Sequence, residues 1–316
     1  MQLPAVVGAS APYQNTADMR TRGWELSVNW RDQIGKVGYR VGFNLSDSQS
    51  KIVKYNSNES GILTSTLSNG STFWNYYEGK DLGEIWGYEY DGFYTVDDFT
   101  DTSSWKLKEG VPSIDGYNPR PGDVKFKNLM DDDRGTNMIS GGDNTVSNPG
   151  DRKVIGNNTP RYLYGITLGA NFKGFDLNVF MQGTGKRDAW IANNLKFPLY
   201  SDFKFIALYK DLGNYWKPVD AANGDYTAAN PNAEFPRIYG NYGNQGSNYR
   251  QSDKYLSGAS YFRIKNVTLS YTFPKAWITK ASLSQLKAFV SIENLATFSS
   301  LPKGIDPETL SWNYPA

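Results

Sequence analysis

The chain has 316 residues, a formal charge of +1, 39% hydrophobic and 15% aromatic residues, and neither cysteine nor histidine. This excludes disulfides, thiolate chemistry and the commonest neutral-pH general base, and a near-neutral charge gives no steering toward nucleic acid. No apolar run approaches the roughly 18 residues of a spanning helix, which excludes a helical membrane protein and leaves a strand-built barrel open.

Met1–Ala11 lacks a basic segment and is broken by Pro4 and Gly8, so it is not a secretory signal, and the chain is expected to be a piece of a longer protein. Met19–Trp30 alternates Trp24, Leu26, Val28 and Trp30 with Gly23, Glu25, Ser27 and Asn29, which predicts a strand. After a short turn, Val37, Tyr39, Val41, Phe43 and Leu45 alternate with Gly38, Arg40, Gly42 and Asn44. Ser46–Gly79 reads as a long polar excursion. Asp81–Phe99 predicts one or two short strands, then a loop or short helix near Val96–Glu109. Pro112–Asn158, punctuated by Pro and Gly, reads as mostly irregular.

The strongest pattern lies in Arg161–Gln182. Tyr164, Ile166, Leu168 and Ala170 share one face, Gly165, Thr167 and Gly169 the other, and Lys173-Gly174 makes a tight corner before Leu177 and Val179 continue the alternation. This predicts an antiparallel hairpin. Phe205–Tyr209 is short and apolar, and Trp216–Asn248 reads as loop. Residues 261–273 predict a strand closed by Pro274, Ala276–Leu283 a helical turn or loop, and Leu286–Glu293 another strand. Asn294–Ala316 reads as an irregular tail.

Alternating strands of this design fit either a sheet with one solvated face or a membrane barrel with a small, polar lumen face. Charges on the polar faces (Glu25, Arg40, Lys287, Glu293) suit a water-filled interior and a solvated face alike.

Three groups of residues bear on chemistry. Asp123, Asp131, Asp132, Asp133, Asp143 and Asp151 make the densest acidic stretch. Oxygen-rich side chains in a Gly/Asn loop suit Ca²⁺, although the spacing is not that of an EF-hand and a solvated acidic loop explains them too. The loop aromatics Trp74, Tyr76, Tyr77, Trp86, Tyr88, Tyr90, Tyr94 and Trp216 are candidates to stack on sugars or grip peptides, against the plainer reading that they stiffen loops. Gly183-Thr184-Gly185-Lys186 lacks phosphate-loop spacing and reads as a turn. No Ser-His-Asp or Cys-His site can be built; a paired-carboxylate glycosidase is marked by nothing beyond the abundance of Asp and Glu.

Several stretches resemble the SusC/RagA-type TonB-linked outer-membrane transporters. They are Thr21-Arg22-Gly23-Trp24-Glu25-Leu26-Ser27, the Pro121-Gly122-Asp123 segment, Asp151-Arg152 leading into the strand at Pro160, Tyr261–Tyr271, Val290–Leu295, and Gly304-Ile305-Asp306-Pro307-Glu308. The family's Asn-Gly-Asp-Gly run is not intact here, and its final strand is not found.

The resemblance implies an all-β fold: residues 1–316 as the C-terminal part of an antiparallel transmembrane β-barrel of about 22 strands, with long extracellular loops. The plug domain, TonB box and final strand would lie outside the sequence. It further implies a multi-pass outer-membrane location and TonB-dependent import of glycan or peptide fragments, without catalysis and with no certain cofactor beyond possible Ca²⁺. The implied partners are a SusD-like surface lipoprotein, TonB through the absent N-terminal region, the remaining barrel segments, a glycan or peptide substrate, and outer-membrane lipid. Trp24, Leu26, Val28, Tyr39, Val41, Phe43, Tyr164, Ile166, Leu168, Leu177 and Val179 would face lipid. The alternative reading is a surface carbohydrate-binding all-β module without transport activity.

Overall fold

A computed structural model describes residues 17–67, 72–114, 116–130, 137–191, 197, 210–239, 247–279 and 282–310. In chain order the strands are β1 (Ala17–Ile34), β2 (Val37–Tyr55), β3 (Thr64–Thr66), β4 (Thr72–Trp74), β5 (Glu84–Tyr88), β6 (Tyr90–Phe93), β7 (Ser113–Ile114), β8 (Val124–Phe126) and β9 (Met138–Ile139). They continue with β10 (Arg152–Asn157), β11 (Arg161–Phe172), β12 (Phe175–Lys186), β13 (Asp188–Trp190), β14 (Pro218–Asp220), β15 (Asp225–Ala228), β16 (Leu256–Gly258), β17 (Tyr261–Thr272) and β18 (Lys287–Ser299). One helical turn, Lys275–Ile278, precedes β18.

Six long strands form one antiparallel sheet in the order β1-β2-β11-β12-β17-β18. The register carries the period-two pattern across every strand. Trp30, Val41, Leu168, Val179, Val267 and Ile292 lie in one row, and the neighbouring row runs Arg31, Arg40, Gly169, Asn178, Thr268 and Ser291. Rows directly opposite share a face, so one face is apolar and the other small and polar. At the β11–β12 corner, Lys173 (φ 45°) and Gly174 (φ 91°) both adopt the left-handed backbone that a two-residue hairpin turn demands. On the polar face, a side chain at Gly169 would collide with Arg40, which lies across the sheet toward Asn178 and 3.6 Å from Asp176.

The transmembrane β-barrel expected from the sequence is corrected here, and with it the multi-pass outer-membrane placement. Closure requires the first and last strands of the sheet to pair. Among the described residues β1 and β18 each bond a neighbour on one side only, so the sheet is open. It is joined by six two-stranded sheets built from the intervening segments. No helix among the described residues is long and apolar enough to cross a membrane, which bears on helical spans and not on strands. The alternation misled because a sheet with one solvated face and a barrel wall write the same period-two pattern.

The segments read as loops are packed. β2 runs on to Tyr55, well into the stretch read as a polar excursion, and Gly183–Lys186 belongs to β12 rather than to a turn. β18 likewise extends to Ser299, past the expected start of the tail. Pro112–Asn158 contributes β7 to β10, and Trp216–Asn248 contributes β14 and β15. Phe205–Tyr209 lies outside the described residues. Four small buried clusters hold this part together. Ile114, Val124, Phe126 and Ile139 form one, against Tyr88 and Phe93; Leu63, Tyr77 and Trp86 form a second, against Trp74. Phe197, Phe235, Tyr249 and Tyr255 form a third, and Ala189, Ile191, Ala259 and Ile305 a fourth.

Candidate functional site

Burial divides the eight aromatic candidates. Tyr77, Trp86, Tyr94 and Trp216 are buried, each 8% exposed or less, and serve the packed region. The Trp86 indole donates to Glu84 Oε1 at 2.9 Å and to the Tyr77 hydroxyl at 3.1 Å, and that hydroxyl donates to the same carboxylate. Burial raises the Glu84 carboxyl, and the Trp86 indole opposes that rise. The Tyr94 hydroxyl donates to the Pro112 carbonyl at 2.5 Å. Trp216 lies flat against the Gly122 turn, with the Arg237 guanidinium 5.9 Å from its ring centre. Tyr90 sits beneath Lys254, whose Nζ is 4.4 Å from the ring centre; burial pushes its phenol to about 12. Tyr76 is exposed and meets Tyr55 edge-on at 6.2 Å.

Trp74 and Tyr88 are brought together. Both are half-buried and line one cavity of about 280 Å³ between the β3–β4 hairpin, β5, the start of β10 and the segment at Arg250-Gln251. Trp74 ends β4 and donates from Nε1 to Gln251 Oε1 at 3.2 Å, which fixes the indole plane. Tyr88 is held from behind by Phe126 at 5.3 Å between ring centres. The Arg250-Gln251 segment is locked onto β5 because Tyr88 N donates to Gln251 O at 2.9 Å, and Gly87 leaves no side chain in the way: a Cβ there would approach that same carbonyl to 2.7 Å. Arg152 completes the wall, its Cζ 5.9 Å from the Trp74 ring centre. Thr64 and Thr72 add hydroxyls. An aromatic surface with a few convergent polar groups is the ordinary makeup of a small-ligand pocket.

The acidic residues do not converge. Asp131, Asp132 and Asp133 lie outside the described residues. Asp143 is exposed and accepts from Asn148 Nδ2 at 2.8 Å. Asp123 is fully buried, and its carboxylate accepts from the Tyr117 and Tyr239 hydroxyls (both 2.6 Å), Arg120 N (2.8 Å) and Asn248 Nδ2 (3.0 Å). Four donors occupy the lone pairs a cation would need. Burial lifts this carboxyl above its ordinary value, and the donors oppose the lift. Asp151 is buried too and gathers the backbone amides of Leu129, Met130 and Ser140. Among the described residues no three acidic side chains are placed to share a metal ion.

The residues named as lipid-facing lie on the β1, β2, β11 and β12 portion of the apolar face. Trp24, Leu26, Val28, Val41, Leu168 and Leu177 are each more than a third exposed. A continuous exposed apolar face of this kind marks a contact surface. Sequence reasoning missed Arg152, Arg250 and Gln251 as site residues. Only the Asp151-Arg152 motif carried a local signal; Arg250-Gln251 lies in a stretch without periodicity.

No family model matches the chain. It is 28% identical over 311 residues to TonB-dependent receptor P3 of Formosa agariphila, covering 97% of this chain and 27% of that protein. It is 22% identical to TonB-dependent receptor P39 of the same organism, covering 97% of this chain and 29% of that protein. Among solved structures, the RagAB peptide transporter aligns with a TM-score of 0.62 at 19% identity, over 97% of this chain and 29% of the other. The RagAB peptide importer in its open-open state aligns with a TM-score of 0.61 at 19% identity, over 98% and 28%. The chain thus spans under a third of the length of these relatives. The barrel-wall role in TonB-dependent import is corrected by the open sheet and the packed, cavity-bearing region beside it. At the level the comparisons reach, this chain is distantly similar in sequence to TonB-dependent receptors and shares the fold of the aligned part of the RagAB peptide transporter.

Proposed function

We propose that this chain is a carbohydrate-binding all-β module without transport activity of its own, acting by non-covalent recognition rather than catalysis. The observation that carries this reading is the cavity where Trp74 and Tyr88 stand beside Thr64, Thr72, Gln251 and two arginines. A sugar ring presents an apolar C–H face and a rim of hydroxyls. A fixed indole takes the face, and threonine, glutamine and arginine groups take the rim. Likeness to the TonB-dependent receptors supports a SusD-like lipoprotein as partner and a TonB-linked setting, both at family level.

The test is affinity electrophoresis of the full chain through gels containing soluble polysaccharides. Retardation by at least one polysaccharide, abolished by Trp74→Ala and kept by Trp277→Ala on the exposed helical turn, supports the reading. Absence of retardation across a broad panel, or retardation indifferent to Trp74, overturns it.

A further inference from the structure

The same cavity carries a charge that neutral sugar binding does not require. Its wall holds two guanidinium groups, Arg152 and Arg250, and no carboxylate. Among the described residues Arg152 is tied down by neutral acceptors: Nε donates to the Pro149 carbonyl at 3.1 Å, and Nη2 to the Gly141 carbonyl at 2.7 Å and Asn144 Oδ1 at 3.2 Å. Those bonds fix its position without neutralising it. Arg250 is exposed at the mouth, and its side chain has no carboxylate partner among the described residues. Elsewhere among the described residues Arg161 is paired with Asp47 and Arg263 with Asp306 and Glu308, while Arg120, Arg187 and Arg237, like Arg152, donate to carbonyl oxygens. Among the described residues the arginines of this cavity have no carboxylate partner, and one of them is partly buried, where unpaired charge is unfavourable.

A half-buried guanidinium held by carbonyls, joined by a second one at the entrance and flanked by a fixed indole, is complementary to a ring bearing a negative group. We propose that this cavity takes an acidic sugar unit, its ring against Trp74 and its carboxylate or sulfate against Arg152 and Arg250. Arg152 Nη1, which makes none of those three bonds, and the guanidinium of Arg250 can donate to either oxyanion. The proposal rests on the carbohydrate-binding reading and names its substrate class.

The experiment is a glycan array probed with the full chain, in which each backbone appears in neutral, uronate and sulfated forms, beside peptides with a free C-terminal carboxylate. Hits are followed by calorimetry. The variant is Arg250→Gln, at an exposed position. The expected result is binding confined to uronate or sulfated members, weakened about tenfold or more by Arg250→Gln and by high salt. The uronate and sulfate arms show which oxyanion is preferred. Equal binding of neutral and acidic members, or unchanged affinity in Arg250→Gln, overturns the anionic preference while a Trp74-dependent neutral hit keeps the module reading. Binding of the peptides alone, or of nothing on the array, overturns both.

Discussion

Asp123 and Asn248, 125 residues apart, are joined by a fully buried hydrogen bond: Asn248 Nδ2 donates to Asp123 Oδ1 at 3.0 Å, while Asn248 Oδ1 accepts from Val124 N at 2.8 Å. The amide therefore reads the side chain of one residue and the backbone of the next. With Tyr117 and Tyr239 donating to the same carboxylate, Asp123 ties the Pro121-Gly122-Asp123 turn to the segment leading to Arg250-Gln251. The cavity wall is thus supported from a carboxylate that does not line it. Asp123→Ala strands four donors and is expected to destabilise the chain by about 3 kcal/mol or more, read as a lower urea midpoint. Asp123→Asn retains the shape and loses less.

Gly122 is the second point of that turn. Its φ is +91°, and a Cβ would run into the Trp216 indole. Gly122→Ala combines backbone strain with overpacking, an expected loss of about 1–3 kcal/mol. A red-shifted tryptophan emission and a lower melting temperature would register the displaced Trp216; an unchanged spectrum would contradict the close contact.

Arg263 is buried on the polar face of the main sheet. It donates to Thr297 Oγ1 (2.8 Å), Glu308 Oε2 (2.7 Å) and Asp306 Oδ1 (2.6 Å), and Lys265 Nζ reaches Glu308 at 2.9 Å. These contacts strap Asp306–Glu308 across β17. Arg263→Ala leaves the carboxylates facing a lost partner, an expected loss of about 3–5 kcal/mol. Limited proteolysis near the exposed Lys303 should then be faster than in the parent chain. Arg263→Lys keeps the charge without the fork and should fall between the two.

Asp47 and Arg161 join β2 to the start of β11. Arg161 donates to both carboxylate oxygens, from Nη2 at 2.6 Å. The hydrogen bond from Arg161 holds the Asp47 carboxyl below its ordinary value. A depressed folded-state value means the pair's stabilisation is present above the unfolded carboxyl value of about 3.9 and is lost as pH falls through the folded value. Urea midpoints measured between pH 6 and pH 2.5 should converge for the parent and Asp47→Asn at the acid end. Parallel curves would rule out this pair as an acid-sensitive joint.

Much of the main sheet is legible in the sequence. The Arg161–Gln182 hairpin follows from period-two alternation and from Lys173-Gly174, both local signals, and β1, β2, β17 and β18 follow similarly. Their placement in the wall of a transmembrane barrel did not hold, because alternation reports which side chains share a face and not what lies beyond the outer strands. The site was less legible. Trp74 and Trp86 look alike in sequence, yet one lines a cavity and the other is buried on Glu84. Asp123 looked like a ligand for a cation and is a structural acceptor.

By itself the sequence determined the strands, their two faces, the corner at Lys173-Gly174 and the absence of histidine and cysteine chemistry, because these depend on neighbours a few residues apart. Only the tertiary structure decided that the intervening segments pack into small sheets, that four of eight loop aromatics are buried, and that Trp74, Tyr88, Arg152 and Arg250 line one cavity. The physical reason is separation along the chain. Trp74 and Gln251 are 177 residues apart, and no local periodicity encodes a contact whose partners are brought together only when the segments between them pack.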